Sequence, residues 1–557
     1  MLQDAENILE VTDLEVGFGG TPVLHRIGFS MRRGERVAIV GQSGSGKSTA
    51  IGAILRLLPG SGRITHGSIV LGGGTTRGEV EDLATASEPV MRTIRGERIG
   101  LVPQDPMSNL NPAMRIGAQV ADALVANRTT EGKPDRAQIR SQAVALLAEA
   151  GIPGAERRYG QYPHEFSGGM RQRVLIAIAL AGKPELLIAD EPTSALDVTV
   201  QRQILNHLQS LVDARGTSLL FITHDLGLAA DRTDRIIVMS EGRIVEIGTP
   251  RQILLDPQQE YTRQLVAAAP SVATALDAAP LVDPTAGAPA SAGPERSRSI
   301  LVVENLVKEF ALRGRRGSTI RAVDDVSFEV ERGTTTAVVG ESGSGKTTVA
   351  RIVLGLETAS SGQALIDGES LTDTRGAQRR ALRRKVQPVF QDPYGSLDPT
   401  YSIERLIDEP LRIFGVGDRG SRQERVAELL DQVALPRSVA QRRPNELSGG
   451  QRQRVAIARA LALEPELLIC DEAVSALDVL VQDQILTLLA DLQDRLGLTY
   501  LFITHDLSVV RQIAHAVVVM RSGVVVENGS VNDVFDHPRA EYTRELLGAI
   551  PGAAFAA

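Results

Sequence analysis

From Phe166 to Leu226 the chain repeats itself. A shift of 281 positions lands on Leu447 to Leu507 without a gap, and 40 of the 61 residues are identical. A repeat unit of about 260 residues is several times longer than a solenoid repeat and large enough to hold its own core. The 557 residues must therefore fold as two homologous domains. Between them, Ser271 to Gly293 holds eight Ala and three Pro and no Lys, Arg or aromatic residue, so it cannot bury enough surface to pack. The expected organisation is a first domain over 1–270, a flexible linker over 271–297 and a second domain over 298–557.

Within each half, short β-rich runs alternate with helical stretches. Arg36–Val40, Leu186–Ala189 and Ser218–Ile222 read as strands, and Gln201–Ala214 reads as an amphipathic helix. Apolar strands separated by helices point to an α/β fold with a largely parallel sheet covered on both faces. The net charge of −8 argues against a general nucleic-acid binder, which would present a basic face. No apolar run approaches the roughly 20 residues needed to span a bilayer. The acidic start, Met1 to Glu10, lacks the pattern of a signal peptide, so a cytoplasmic location is expected. The single cysteine, Cys470, excludes an intrachain disulfide or a cysteine-built metal site, and its apolar setting reads as a buried strand.

Two glycine-rich loops follow β-like runs. Gly41-Gln42-Ser43-Gly44-Ser45-Gly46-Lys47-Ser48 follows Val37–Val40, and Gly340-Glu341-Ser342-Gly343-Ser344-Gly345-Lys346-Thr347 follows Thr336–Val339. Both fit G-x-x-x-x-G-K-[ST]. Glycines let backbone N–H groups turn inward around phosphates, the next helix directs its positive end at them, and Ser48 or Thr347 offers a hydroxyl to Mg²⁺. Thr49 and Thr348 come next in each helix. Only six of the 60 basic residues are lysines, yet two of those six are Lys47 and Lys346. A compact ammonium is retained where a planar guanidinium would not fit.

After each loop the same series appears. The glutamines Gln104 and Gln391 lead to Ser167-Gly168-Gly169-Met170 and Ser448-Gly449-Gly450-Gln451, then to Asp190-Glu191 and Asp471-Glu472, to Ser194–Asp197 and Ser475–Asp478, and to His224 and His505. On these residues each half resembles an ATP-binding-cassette nucleotide-binding domain. The resemblance implies a phosphate-loop core with a mainly parallel sheet, an antiparallel β subdomain and a helical subdomain carrying the signature. It implies ATP and Mg²⁺ as cofactors, with Ser48, Gln104, Asp190, Thr347, Gln391 and Asp471 around the metal. Strand-end Asp190 and Asp471 suit a hydrated Mg²⁺, and Glu191 and Glu472 suit a general base. His224 and His505 match the switch histidine that contacts the γ-phosphate, and Gln104 and Gln391 match its sensor. Ser167 and Ser448 stand at helix N-caps, before apolar-periodic Arg171–Ala181 and Arg452–Ala462. In the family such a helix end faces the nucleotide of the other domain, which crosses the two sites. Phe18, 23 residues before Gly41, resembles the adenine-stacking aromatic; Phe310 is its counterpart at a spacing of 30, lengthened by an Arg/Gly-rich insertion over 313–317.

The words after each glutamine, Asp105-Pro106-Met107-Ser108-Asn109-Leu110-Asn111-Pro112 and Asp392-Pro393-Tyr394-Gly395-Ser396-Leu397-Asp398-Pro399, are similar to those of dipeptide and oligopeptide importer ATPases, as are the Tyr-Thr-Arg endings at Tyr261 and Tyr542. That likeness implies a fused motor subunit working with two transmembrane permeases and an extracytoplasmic solute-binding protein, peripheral on the cytoplasmic face of the inner (plasma) membrane. Two departures stand out. With Cys470 alone, the C-terminal iron–sulphur cluster of many such subunits cannot form, and Ala473-Val474 replaces the usual Pro-Thr after the catalytic acid. The alternatives fit less well. A twin-cassette protein acting on ribosomes carries a long, charged linker, and a chromosomal or DNA-repair ATPase needs coiled coils or zinc cysteines.

Overall fold

The computed structural model describes residues 7–72, 81–127, 135–193, 196–269, 280–283, 298–311, 319–475 and 477–552. Two compact units result, Met1–Leu276 with Pro551–Ala557, and Asp277–Ile550.

The strands of the first unit are β1 (Asn7–Phe18), β2 (Thr21–Arg32), β3 (Arg36–Val40), β4 (Gly62–Leu71), β5 (Glu81–Asp82), β6 (Ile99–Val102), β7 (Leu186–Asp190), β8 (Ser218–Ile222), β9 (Arg235–Ser240) and β10 (Arg243–Gly248). Among the described residues they form an antiparallel sheet, β2-β1-β4-β5, and a larger sheet, β10-β9-β3-β8-β7-β6. The larger sheet is parallel except for the edge pair β9–β10. Its central strands are buried along nearly their whole length, as their unbroken apolar sequences require, and one face shares an apolar cluster with β1, β2, β4 and the helix Lys47–Ile54 rather than being covered by helices alone. A separate apolar cluster, including Val120, Leu147, Phe166 and Val174, holds the helices Ile116–Ala126, Arg136–Glu149 and Gly168–Ala179 together.

The second unit follows the same plan with β11 (Ser299–Ala311), β12 (Thr319–Glu331), β13 (Thr335–Val339), β14 (Ser361–Ile366), β15 (Glu369–Ser370), β16 (Val386–Val389), β17 (Leu467–Asp471), β18 (Thr499–Ile503), β19 (Ala516–Arg521) and β20 (Val524–Ser530). Its sheets are ordered β12-β11-β14-β15 and β16-β17-β18-β13-β19-β20. Cys470 is fully buried in β17, as its apolar setting implied. The helix expected over 201–214 runs from Val198 to Arg215, because Asp197 caps its start and Gly216, at φ 62°, ends it.

The insertion at 313–317 and residues Ser194, Ala195 and Ala476 lie outside the described residues. So does most of the segment expected as a linker over 271–297. Its described part, residues 280–283, is seated on the second unit. The N–H groups of Leu281 and Val282 both donate to the Gln512 carbonyl, at 2.9 and 3.3 Å, and Val282 joins the apolar cluster that contains Ile513. Among the described residues no helix is long and apolar enough to cross a membrane.

Candidate active sites

Strand register assembles each site. In the first unit β3 lies between β8 and β9, with Ile39 opposite both Ile222 and Ile237, so the loop after β3 emerges beside the ends of its neighbours. Gly41 is then forced close to β9. A Cβ there would stand 2.1 Å from the Met239 carbonyl oxygen, and Gly340 meets Met520 identically. The loop curls until Lys47 Nζ donates to the carbonyls of Gly41 (2.7 Å) and Gln42 (2.8 Å); Lys346 does the same to Gly340 and Glu341. Ser43, Gly44, Ser342 and Gly343 belong to the loops' outer turns, and Gly46 and Gly345 precede the helices Lys47–Ile54 and Lys346–Val353 that carry Ser48, Thr49, Thr347 and Thr348. The hydroxyls of Ser45 and Ser344 are buried with no hydrogen-bond partner, polar atoms that fit a phosphate cradle.

Pairing of β7 with β8 sets Asp190 opposite Ile222, which brings Glu191 beside His224 two residues further on. Glu191 Oε1 lies 3.1 Å from His224 Nδ1, and Oε2 accepts from Gln104 Nε2 at 2.9 Å. In the second unit, Glu472 lies 3.2 Å from His505 Nδ1 and accepts from Gln391 Nε2 at 2.6 Å. Both glutamates hold a left-handed backbone, φ 43° and 48°, with their N–H groups donating to Ile222 and Ile503 at the ends of β8 and β18. Substituting Ala473-Val474 for Pro-Thr leaves this arrangement intact.

Electrostatics separates the acidic neighbours. Burial, then the charge of Glu191, pushes the Asp190 carboxyl up to about 6 against the pull of Lys47. Asp471 shifts upward for the same reasons, opposed by Lys346 and a hydrogen bond from Thr347. Burial alone would raise Glu191 too, but His224, Lys47 and Gln104 more than offset it and hold the carboxyl below its ordinary range. For Glu472 the His505 hydrogen bond is the largest influence, and it also falls. Burial disfavours charge on His224 and His505, yet their glutamate partners raise both. Each site thus holds an ionised glutamate beside a half-buried, poorly compensated aspartate, a donor set suited to a divalent cation.

The signature serines are N-caps, with Ser167 Oγ accepting from the Met170 N–H and Ser448 Oγ from that of Gln451. Gly168, Gly169, Gly449 and Gly450 open the two helices, Gly168–Ala179 and Gly449–Leu461. The aromatic candidates sit in the antiparallel sheets. Phe18 ends β1, half-buried against the apolar cluster, while exposed Phe310 lies under Lys308 Nζ, 4.9 Å from its ring centre. One pair of site residues escaped the sequence reading. The Tyr261 hydroxyl accepts from the Gln42 N–H at 3.3 Å and the Tyr542 hydroxyl from the Glu341 N–H at 3.1 Å, so the C-terminal helix of each unit braces its phosphate loop. Their shared Tyr-Thr-Arg setting was the available signal.

A family model described as ABC transporter matches residues 24–194 and 323–475. The glutathione import ATP-binding protein GsiA of Pectobacterium atrosepticum is 42% identical over 566 residues, covering 98% of this chain and 90% of its own. Its namesake in Escherichia coli K12 is 42% identical over 570 residues, covering 99% and 90%. A solved dimer of the ATP-binding cassette MJ0796 with ADP and Pi aligns at 28% identity over 44% of this chain and 99% of its own, with a TM-score of 0.38.

Proposed function

We propose, from the premise that this chain belongs to the ABC transporter family and is an ATPase, that it is the motor subunit of an importer for short peptides such as glutathione. The observation that carries this reading is the match, across both halves and nearly end to end, to proteins named for glutathione import. The ribosome-directed alternative draws no support from those relatives.

Glu191 and Glu472, ionised at neutral pH, serve as general bases for the attacking water. Both oxygens of each glutamate are engaged by Gln and His. Turnover then requires Gln104 and His224, or Gln391 and His505, to exchange part of that engagement for the γ-phosphate. Mg²⁺ would be held through Ser48, Asp190 and Gln104, or Thr347, Asp471 and Gln391, and would supply charge neutralisation on the phosphate oxygens. Lys47 and Lys346 orient the phosphates, and Phe18 and Phe310 are the proposed supports for adenine. Each site is completed by the other half's signature. Lys47, Ser48, Gln104, Asp190, Glu191 and His224 work with Ser448–Gln451, and Lys346, Thr347, Gln391, Asp471, Glu472 and His505 work with Ser167–Met170. The free N–H groups at those helix starts are the complement a γ-phosphate needs. Two permeases and an extracytoplasmic solute-binding protein complete the importer at the cytoplasmic face of the inner membrane.

The test is uptake of labelled glutathione and dipeptides by cells lacking the chain and by cells complemented with it. Wild-type chain should restore uptake. Glu191→Gln with Glu472→Gln should abolish it and lower ATP turnover at least a hundredfold while ATP stays bound. Uptake of both solutes that is indifferent to the deletion, or near-wild-type turnover in the double variant, would refute the reading.

A further inference from the structure

The residue after each signature is an arginine. Arg452 is 6% exposed; its Nε donates to the Pro444 carbonyl, just before the signature, and its guanidinium carbon lies 3.7 Å from the ring centre of Tyr394. One of its terminal nitrogens is buried with no hydrogen-bond partner. Tyr394 is three residues past Gln391 and 66% exposed. Two helical turns further on, Arg459 donates to the Ser396 carbonyl at 2.6 Å, and burial lowers its pKa. The helix that begins at the signature is therefore fastened twice to the segment that follows the sensing glutamine.

In the first half Arg171 alone reaches the segment after the glutamine, while its neighbour Gln172 donates to the Pro103 carbonyl just before the glutamine at 3.4 Å. Arg171, half-buried, donates to the Pro163 carbonyl at 2.7 Å and rests on the sulphur of Met107, itself 63% exposed. Ile178 occupies the position equivalent to Arg459. A guanidinium on an aromatic face, shielded from water, is a stronger and more directional contact than one on a thioether. Burying an arginine with a carbonyl and a ring as its neighbours is costly, and an aliphatic side chain would fill the space at lower cost. What the arginine adds is a flat face and a fork joining two loops of different function.

We propose that Arg171 and Arg452 are positioning residues that carry displacement of the exposed Met107 or Tyr394 segment to the signature helix of the same half, and that Arg459 makes this link stiffer in the second half. This deepens the importer reading, since the partner pressing on those exposed side chains would be a permease. The link itself is a property of the chain alone. It works in both directions: a signature helix drawn toward nucleotide moves Tyr394.

The chain contains no tryptophan, so Tyr394→Trp in the full chain supplies a single reporter beneath Arg452. In a Glu191→Gln, Glu472→Gln background, MgATP should change its emission. Adding Arg452→Met should cut that change at least threefold, and Arg452→Lys should restore much of it, with affinity for a fluorescent ATP analogue altered less than twofold. Arg459→Ile copies the residue already tolerated in the first half, and should shrink the response toward that of a Met107→Trp reporter. The proposal falls if the Tyr394→Trp reporter ignores MgATP, if Arg452→Met responds like its parent, or if response and nucleotide affinity are lost together. Purified chain and MgATP suffice, so failure to transport peptides would sink the importer reading without changing this result.

Discussion

Tyr542 shows how a site residue acts without touching substrate. Its hydroxyl holds an N–H of the phosphate loop from a helix 201 residues away in sequence. Tyr542→Phe removes one neutral hydrogen bond, about 1 kcal/mol net, and should raise KM for ATP about fivefold while kcat changes little. Tyr261→Phe should act the same way on the first site. Steady-state kinetics of each variant is the check, and an unchanged KM in both would deny the tyrosines this role. Such a brace was illegible in the sequence because it depends on where a distant helix lands. The lysines, carboxylates, glutamines and histidines were legible, because phosphate chemistry restricts both their type and their order along the chain. The left-handed backbone of the two glutamates was not, since nothing local to Asp-Glu demands it.

Among the elements, the signature helices show how one substitution alters a cap. Ser448 and Gln451 form a reciprocal box, the Gln451 carboxamide oxygen accepting the Ser448 N–H at 3.1 Å. Met170 cannot return that bond, and Ser167 caps alone. Met170→Gln should stabilise the first unit by a few tenths of a kcal/mol, whereas Ser448→Ala should destabilise the second by about 1 kcal/mol. Calorimetric unfolding of the full chain reads both, and a Met170→Gln chain that unfolds earlier would contradict the capping account. The central strands were readable to within a residue because buried parallel strands are uninterrupted apolar runs. The signature helices start directly after the serines that their sequence marks as N-caps, and the apolar-periodic stretches from Arg171 and Arg452 are the later part of each.

For the whole molecule, the internal repeat announced two domains, and the match with relatives of nearly equal length bears on both together. The crossed arrangement is testable with little engineering, because the only native cysteine is buried and its thiol is pushed up to about 12 by that burial. Ser43→Cys with Ser448→Cys should crosslink in the presence of ATP, whereas Ser43→Cys with Ser167→Cys should not; the reverse pattern would eliminate head-to-tail pairing. The anchored residues 280–283 escaped a reading based on composition, because a single valine finding an apolar recess leaves no mark on the average character of 23 residues. The left-handed glutamates carry the last consequence. A long side chain in that region costs on the order of 1 kcal/mol, and glycine would relieve it at a single substitution. A half that no longer hydrolysed ATP would gain by losing its glutamate, so duplication gave this chain a chance to relax at one site. It has relaxed at neither: Glu191 and Glu472 both keep the left-handed backbone that a glycine would adopt without strain.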